Sequence, residues 1–263
     1  MKNKNGITVL VPVHEFTEAT KLLFDNCVLS LVSQTEQPEA VGIIVPKGSE
    51  AYNYVKSYDF KDLNVTIMEN DGETNFAAQI NFGVENTTTE WFSILEMDDE
   101  FSKIWLKNVV KYREVYGDVE LFLPLVVDVN ETGDFIGLTN ESVWASEFSD
   151  EMGYLDNNAV LGYQNFNFDG MVMRRDTYIE NGGIKASMKL TFIYEFFLRM
   201  TYLAVRTMVI PKFGYKHVNS RKGSLFADYL SLPADEARWW MSLAKKEYFH
   251  TRDRGLTYDK QTN

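Results

Sequence analysis

Residues 91–100 read Trp91-Phe92-Ser93-Ile94-Leu95-Glu96-Met97-Asp98-Asp99-Glu100. An apolar strand of five residues runs straight into four carboxylates within five positions. Like charges that close repel one another, so they need solvent, cations or paired bases. Mg²⁺ and Mn²⁺ prefer oxygen ligands, and Mg²⁺ typically takes one or two carboxylates together with substrate phosphate oxygens. The run therefore reads as the end of a buried strand that holds a divalent cation. Asp98 and its neighbours at the strand's carboxyl end suit that role. The plainer reading is a solvated acidic turn that caps the helix beginning near Ile104. Its position after a buried strand favours the cation.

Working back from Trp91, strands and helices alternate. Ile7-Thr8-Val9-Leu10-Val11-Pro12-Val13 is apolar and β-branched, as a fully buried parallel strand should be. Pro12 belongs at its end, where a missing N–H is tolerated. Helical spacing follows over residues 17–33, then a strand over 41–46, a helix over 51–58, a strand over 65–68 and a helix over 75–86. With the strand at 91–95, this predicts an α/β fold with a mainly parallel sheet and helices on both faces. Ligands bind such sheets beyond the carboxyl ends of the strands.

Working forward, residues 104–116 predict a helix and 120–129 a strand. Residues 130–168 are polar and aromatic with Gly and Asn punctuation, which predicts loops and short strands. Phe168 to Met173 is strand-like, 194–202 an apolar helix, and 207–211 a strand. Residues 234–249 form an amphipathic helix whose Trp239, Trp240 and Tyr248 could pack against a second copy. No internal repeat or low-complexity linker interrupts the chain.

Composition narrows the classes. The net charge is −12, and a protein living on bulk phosphate contacts is usually basic, so a general nucleic-acid coat is disfavoured. Cys27 is the single cysteine, so no internal disulfide forms, which fits a reducing, cytoplasmic setting. The N-terminus lacks a signal-peptide apolar region, and no stretch approaches the ~18 apolar residues of a membrane span. Walker-type, GxGxxG, CxxC, HExxH and nucleophile-elbow motifs are all absent.

Three other places could carry chemistry. His217 lies in Gly214-Tyr215-Lys216-His217-Val218-Asn219-Ser220-Arg221-Lys222, read as a basic loop after a strand. A neutral imidazole can complete a metal site, while Arg221 and Lys222 can neutralise phosphates. The alternative is an ordinary surface histidine. Glu195 stands among large apolar side chains in Ile193-Tyr194-Glu195-Phe196-Phe197-Leu198-Arg199. Desolvation would raise its pKa and suit a general base, or it could simply pair with Arg199 at i,i+4; Arg199 could also orient the base. Gly182-Gly183 permits close backbone approach to a ligand, but by itself is more simply a helix C-cap.

In this order the features resemble family 2 glycosyltransferases of the GT-A fold, over residues 7–225. Val9-Leu10-Val11-Pro12-Val13-His14-Glu15 looks like the family's first strand and nucleotide-facing turn. Ser30-Leu31-Val32-Ser33-Gln34-Thr35 is similar to its helix end before the second strand, and Asn81-Phe82-Gly83 to its Asn-x-Gly. Glu96-Met97-Asp98-Asp99 stands where the family has Asp-x-Asp, followed by Gly182-Gly183-Ile184, Glu195 to Arg199, and His217. The resemblance implies a metal-dependent, inverting transfer from a nucleoside-diphosphate sugar to an acceptor hydroxyl, with Mn²⁺ or Mg²⁺. Asp98 and His217 would hold the metal and Glu195 would be the catalytic base. Pro12, Val13, Glu15, Asn81, Glu96, Met97, Gly183, Arg221 and Lys222 would bind the nucleotide sugar. Residues 1–225 would form one GT-A domain, with a nucleotide-sugar half (1–100) and an acceptor half (101–225), and 226–263 a helical extension.

The chain departs from the family at two points. Pro46-Lys47-Gly48-Ser49-Glu50 replaces the usual Asp-Asp-Gly-Ser, so the base-reading carboxylate is missing. Tyr194-Glu195 stands near the usual Glu-Asp pair. The missing carboxylate and the aromatic C-terminal helix support the alternative of a non-catalytic binding or assembly protein with this fold. Trp144, Phe148, Tyr154, Tyr163, Phe166 and Phe168 suit stacking on an acceptor sugar or base, or an ordinary aromatic core. The chain is also similar to compact members encoded by large-tailed bacteriophages, in which a modified DNA base can be the acceptor; that origin would place it in the host cytoplasm.

Overall fold

A computed structural model describes residues 5–14, 16–145, 147–219 and 231–258. Its first half runs β1 (Ile7–Pro12), α1 (Glu18–Val32), β2 (Ala40–Pro46), α2 (Glu50–Ser57), β3 (Val65–Asn70), α3 (Phe76–Glu85) and β4 (Trp91–Ile94). These four strands pair in parallel in the order β3-β2-β1-β4. Every residue of β1 is buried, as its uninterrupted apolar run requires, and Pro12 closes it. Thr17, Ser49 and Asn75 each cap the helix that follows by accepting a backbone N–H with the side chain. Helix α3 lies so close to the sheet that a Cβ on Gly83 would sit 2.5 Å from Ile44 Cδ1.

The second half comprises β5 (Glu100–Phe101), α4 (Trp105–Val115), β6 (Leu121–Val129), β7 (Phe135–Thr139), α5 (Asn157–Gly162) and β8 (Val172–Arg174). It continues with α6 (Arg175–Glu180), α7 (Phe192–Tyr202), β9 (Thr207–Val218) and α8 (Ala234–Glu247). The sheet extends as β4-β8-β6-β9-β5, with β7 added to β6. β8 is antiparallel to both β4 and β6, whereas β6 and β9 are parallel. Two apolar cores fill the faces: one joins α3 to α7 and α8, the other joins α1, α2 and α4.

β9 is the main departure from the sequence reading. It spans twelve residues and carries His217 within the strand, not in a loop. Lys212 and Phe213 face the surface, and Lys212 interrupts the apolar pattern there. Pro124 in β6 has no N–H to give, and the β6–β9 register shifts across it and again after Leu125. Pairing then resumes, placing Asp128 opposite His217. The short helices α5 and α6 are also additions to that reading.

The aromatic face of α8 is covered by its own chain. Trp240 is fully buried, Ala244 and Tyr248 join the core, and Trp239 packs against Trp240 and Tyr258. No described helix is long and apolar enough to cross a membrane.

Candidate functional site

At the carboxyl end of β4 the chain leaves the sheet and turns. The Glu96 N–H donates to the Tyr215 hydroxyl (3.0 Å), which in turn donates to Asp99 Oδ2 (2.8 Å). The Val218 N–H donates to Asp99 Oδ1 (2.8 Å). β9 thus pins the acidic turn, and Asp99 is buried.

Asp169 arrives on the turn before β8, the strand next to β4. Gly170 makes that turn possible. It has φ +70°, and a Cβ there would meet Tyr215 at 2.8 Å and Pro124 at 3.2 Å. Asn167 Nδ2 donates to Asp169 Oδ2 (2.6 Å). Asp169 Oδ1 is buried and has no hydrogen-bond partner among the described residues. Ligand atoms of Asp99, Asp169 and His217 all lie within 4.8 Å of one another, as do those of Glu96, Asp98 and Asp99.

The electrostatics are those of an anionic cluster with one imidazole. Burial pushes the Asp99 carboxyl up to about 8, against the pull of His217, and Asp169 up to about 6. Burial and the neighbouring Asp169, Asp99 and Asp98 push Glu96 well above the usual carboxylate range. Burial alone would lower the His217 imidazole. Its hydrogen bond to Asp128 and the charges of Asp169, Asp99 and Glu96 outweigh that and push it up to about 11. No Lys or Arg pairs with Glu96, Asp99 or Asp169 among the described residues, so a divalent cation fits the charge and the donor set.

Residues 8–183 match the family model described as Glycosyl transferase family 2. The chain belongs to that family. A crystal structure of S. aureus TarS residues 1–349 in complex with UDP-GlcNAc is similar at a TM-score of 0.68 and 15% identity, over 92% of this chain and 66% of that one. S. aureus TarS in a longer form matches with a TM-score of 0.62 and 15% identity, over 97% of this chain and 46% of that one. The chain thus spans less than half of that longer form. No curated protein gives a significant match. The fold is the GT-A fold that the sequence implied.

For this family 2 chain, the residues expected from sequence fall into four groups. Glu96 and Asp98 gather with Asp99, and His217 gathers with Asp99 and Asp169, so Asp99 is the residue the two sets share. Met97 is buried beside them, and Pro12 and Val13 are buried at the carboxyl end of β1. Asn81 and Gly183 lie together where α3 meets the Gly183–Ile184 backbone: Asn81 Nδ2 donates to the Ile184 carbonyl (2.7 Å), and its Oδ1 accepts from Tyr178 (2.6 Å) and the Ile184 N–H (3.0 Å). Gly183 (φ +61°) passes so near that a Cβ would stand 2.7 Å from Asn81 Oδ1. Glu15, Arg221 and Lys222 lie outside the described residues.

Glu195, the expected base, lies in the core. It has no exposed surface. Arg199 Nε and Nη2 reach its two oxygens at 2.9 and 3.1 Å, and Lys185 Nζ adds a contact at 2.8 Å. Arg199 also donates to the Asn181 and Gly183 carbonyls. A base must present an open oxygen to an acceptor hydroxyl. Here the carboxylate is the centre of a buried brace, which is the i,i+4 pairing the sequence also allowed. The aromatic set likewise follows the core reading: Phe166 and Phe168 are buried, and Phe148, Tyr163 and Phe166 pack on one another.

Asp128 and Asp169 were missed as site residues. Asp128 had one signal: a charged residue between valines near the end of a buried strand needs a partner. Asp169 had none beyond its place before Gly170.

Proposed function

We propose that this protein transfers a sugar from a nucleoside-diphosphate sugar to an acceptor hydroxyl, with a divalent cation and with inversion at the anomeric carbon. The convergence of the Glu96–Asp99 turn, Asp169 and His217 at the carboxyl end of β4 carries this reading. Asp98 and His217 would hold Mn²⁺ or Mg²⁺, with Asp99 and Asp169 at its side. Bound there, the cation would neutralise charge growing on the leaving diphosphate. Tyr215 and the Val218 N–H keep Asp99 in place for it. Pro12, Val13, Glu15, Glu96 and Met97 belong to the nucleotide side of this proposal, and Arg221 and Lys222 to the phosphates. The similar TarS fragment was crystallised with UDP-GlcNAc and with UDP, which supports a nucleoside diphosphate as the ligand class.

The test is a panel of nucleoside-diphosphate sugars, read by release of the free nucleotide. Glycans and modified-base DNA would serve as separate acceptor arms, each with Mn²⁺ or with EDTA. We expect release that needs the cation and falls at least 100-fold in Asp98→Ala without loss of folding, in line with the usual cost of removing one electrostatic stabiliser. Turnover in EDTA, or normal turnover in the variant, would overturn the metal assignment.

A further inference from the structure

The cluster contains one carboxylate whose place is behind the imidazole. Asp128, buried in β6, lies opposite His217 in the parallel β6–β9 register. Its Oδ1 accepts from His217 Nδ1 at 2.9 Å, whereas Asp169 Oδ2 stands 3.9 Å from the same nitrogen. Its Oδ2 accepts from the Thr139 hydroxyl at 2.8 Å. Thr139 ends β7, and the β6–β7 register puts it opposite Val126. Both oxygens of Asp128 are therefore engaged, one by the ring and one by the neighbouring strand.

A carboxylate has no proton to give, so it can only accept from Nδ1–H. An imidazole donating from Nδ1 keeps its lone pair on Nε2 when neutral. Carboxylates behind metal-bound histidines act in this way, and losing them typically weakens metal binding by about 10–100-fold.

We propose that Asp128 is a positioning residue that holds His217 in the Nδ1–H form, with Nε2 as its metal-binding nitrogen, and that Thr139 holds Asp128 from β7. This rests on the metal reading of the same site. It gives the β6–β7 hairpin a part in metal affinity although the hairpin supplies no ligand. Thr139→Val would remove the brace, whereas Thr139→Ser would keep it.

The test is Mn²⁺ binding to the full chain without nucleotide, read from the electron paramagnetic resonance of free Mn²⁺. Wild type, Asp128→Asn, Thr139→Val, Thr139→Ser and His217→Ala are compared. Asn can offer its amide N–H to Nδ1 and reverse the tautomer, so Asp128→Asn should lose about 10–100-fold in affinity. Thr139→Val should lose less, and Thr139→Ser should match wild type. Long-range ¹H–¹⁵N spectra of Mg²⁺-loaded protein should show His217 protonated at Nδ1 in wild type. Those spectra separate positioning from general weakening of the fold. Wild-type affinity in Asp128→Asn, with affinity lost in His217→Ala, would overturn the positioning role alone. A wild type that binds no Mn²⁺ would overturn the metal reading and this proposal together.

Discussion

Glu195, Lys185 and Arg199 are each almost wholly removed from solvent, and the charges sit within hydrogen-bonding distance of one another. Buried charges cost several kcal/mol each to desolvate, and they persist only where partners and hydrogen bonds repay that cost. Lys185 also donates to the Glu247 carbonyl (2.7 Å), so the brace ties the start of α7 to the end of α8. Glu195→Ala would strand two cations in the core. We expect it to lower stability by about 3–5 kcal/mol in denaturant melts, together with a general loss of activity. Wild-type stability combined with a selective loss of turnover would instead restore Glu195 as a catalytic group. Sequence alone could not choose between these roles, because burial raises a carboxylate's pKa and also recruits partners. Only the positions of Lys185 and Arg199 decide it.

At the scale of elements, the parallel strands β1 to β4 were legible because both faces of each are covered, leaving nearly unbroken apolar runs. β9 was legible only to Pro211, because the chain bulges outward opposite Pro124 and then rejoins the sheet. The rejoined part delivers Tyr215, His217 and Val218 to the acidic turn. Gly214 sets how closely it lies. A Cβ there would fall 2.4 Å from the Trp105 ring and 2.6 Å from Pro124, and both are held by surrounding structure. Gly214→Ala should push β9 away from α4 and β6, costing about 1–3 kcal/mol as overpacking. It should also weaken Mn²⁺ binding through His217. Unchanged Mn²⁺ affinity in a correctly folded variant would show that β9 does not set the site.

For the molecule as a whole, the site is assembled from β4, β6, β9 and the turn before β8, segments about 120 residues apart at the extremes. The acidic run announced itself because its carboxylates are adjacent in sequence. Asp128 and Asp169 did not, because only the strand order β4-β8-β6-β9 brings them to His217. Periodicity reports which face a residue takes, not which distant strand lies beside it. As proposed, this convergence forms a cation-dependent site for a nucleoside diphosphate. Thermal unfolding of the wild type with Mn²⁺, with UDP, and with both tests it most directly. UDP should stabilise the protein only when Mn²⁺ is present, by about 2.7 kcal/mol at one hundred times the dissociation constant; an equal shift in EDTA, or no shift with both ligands, would contradict the claim.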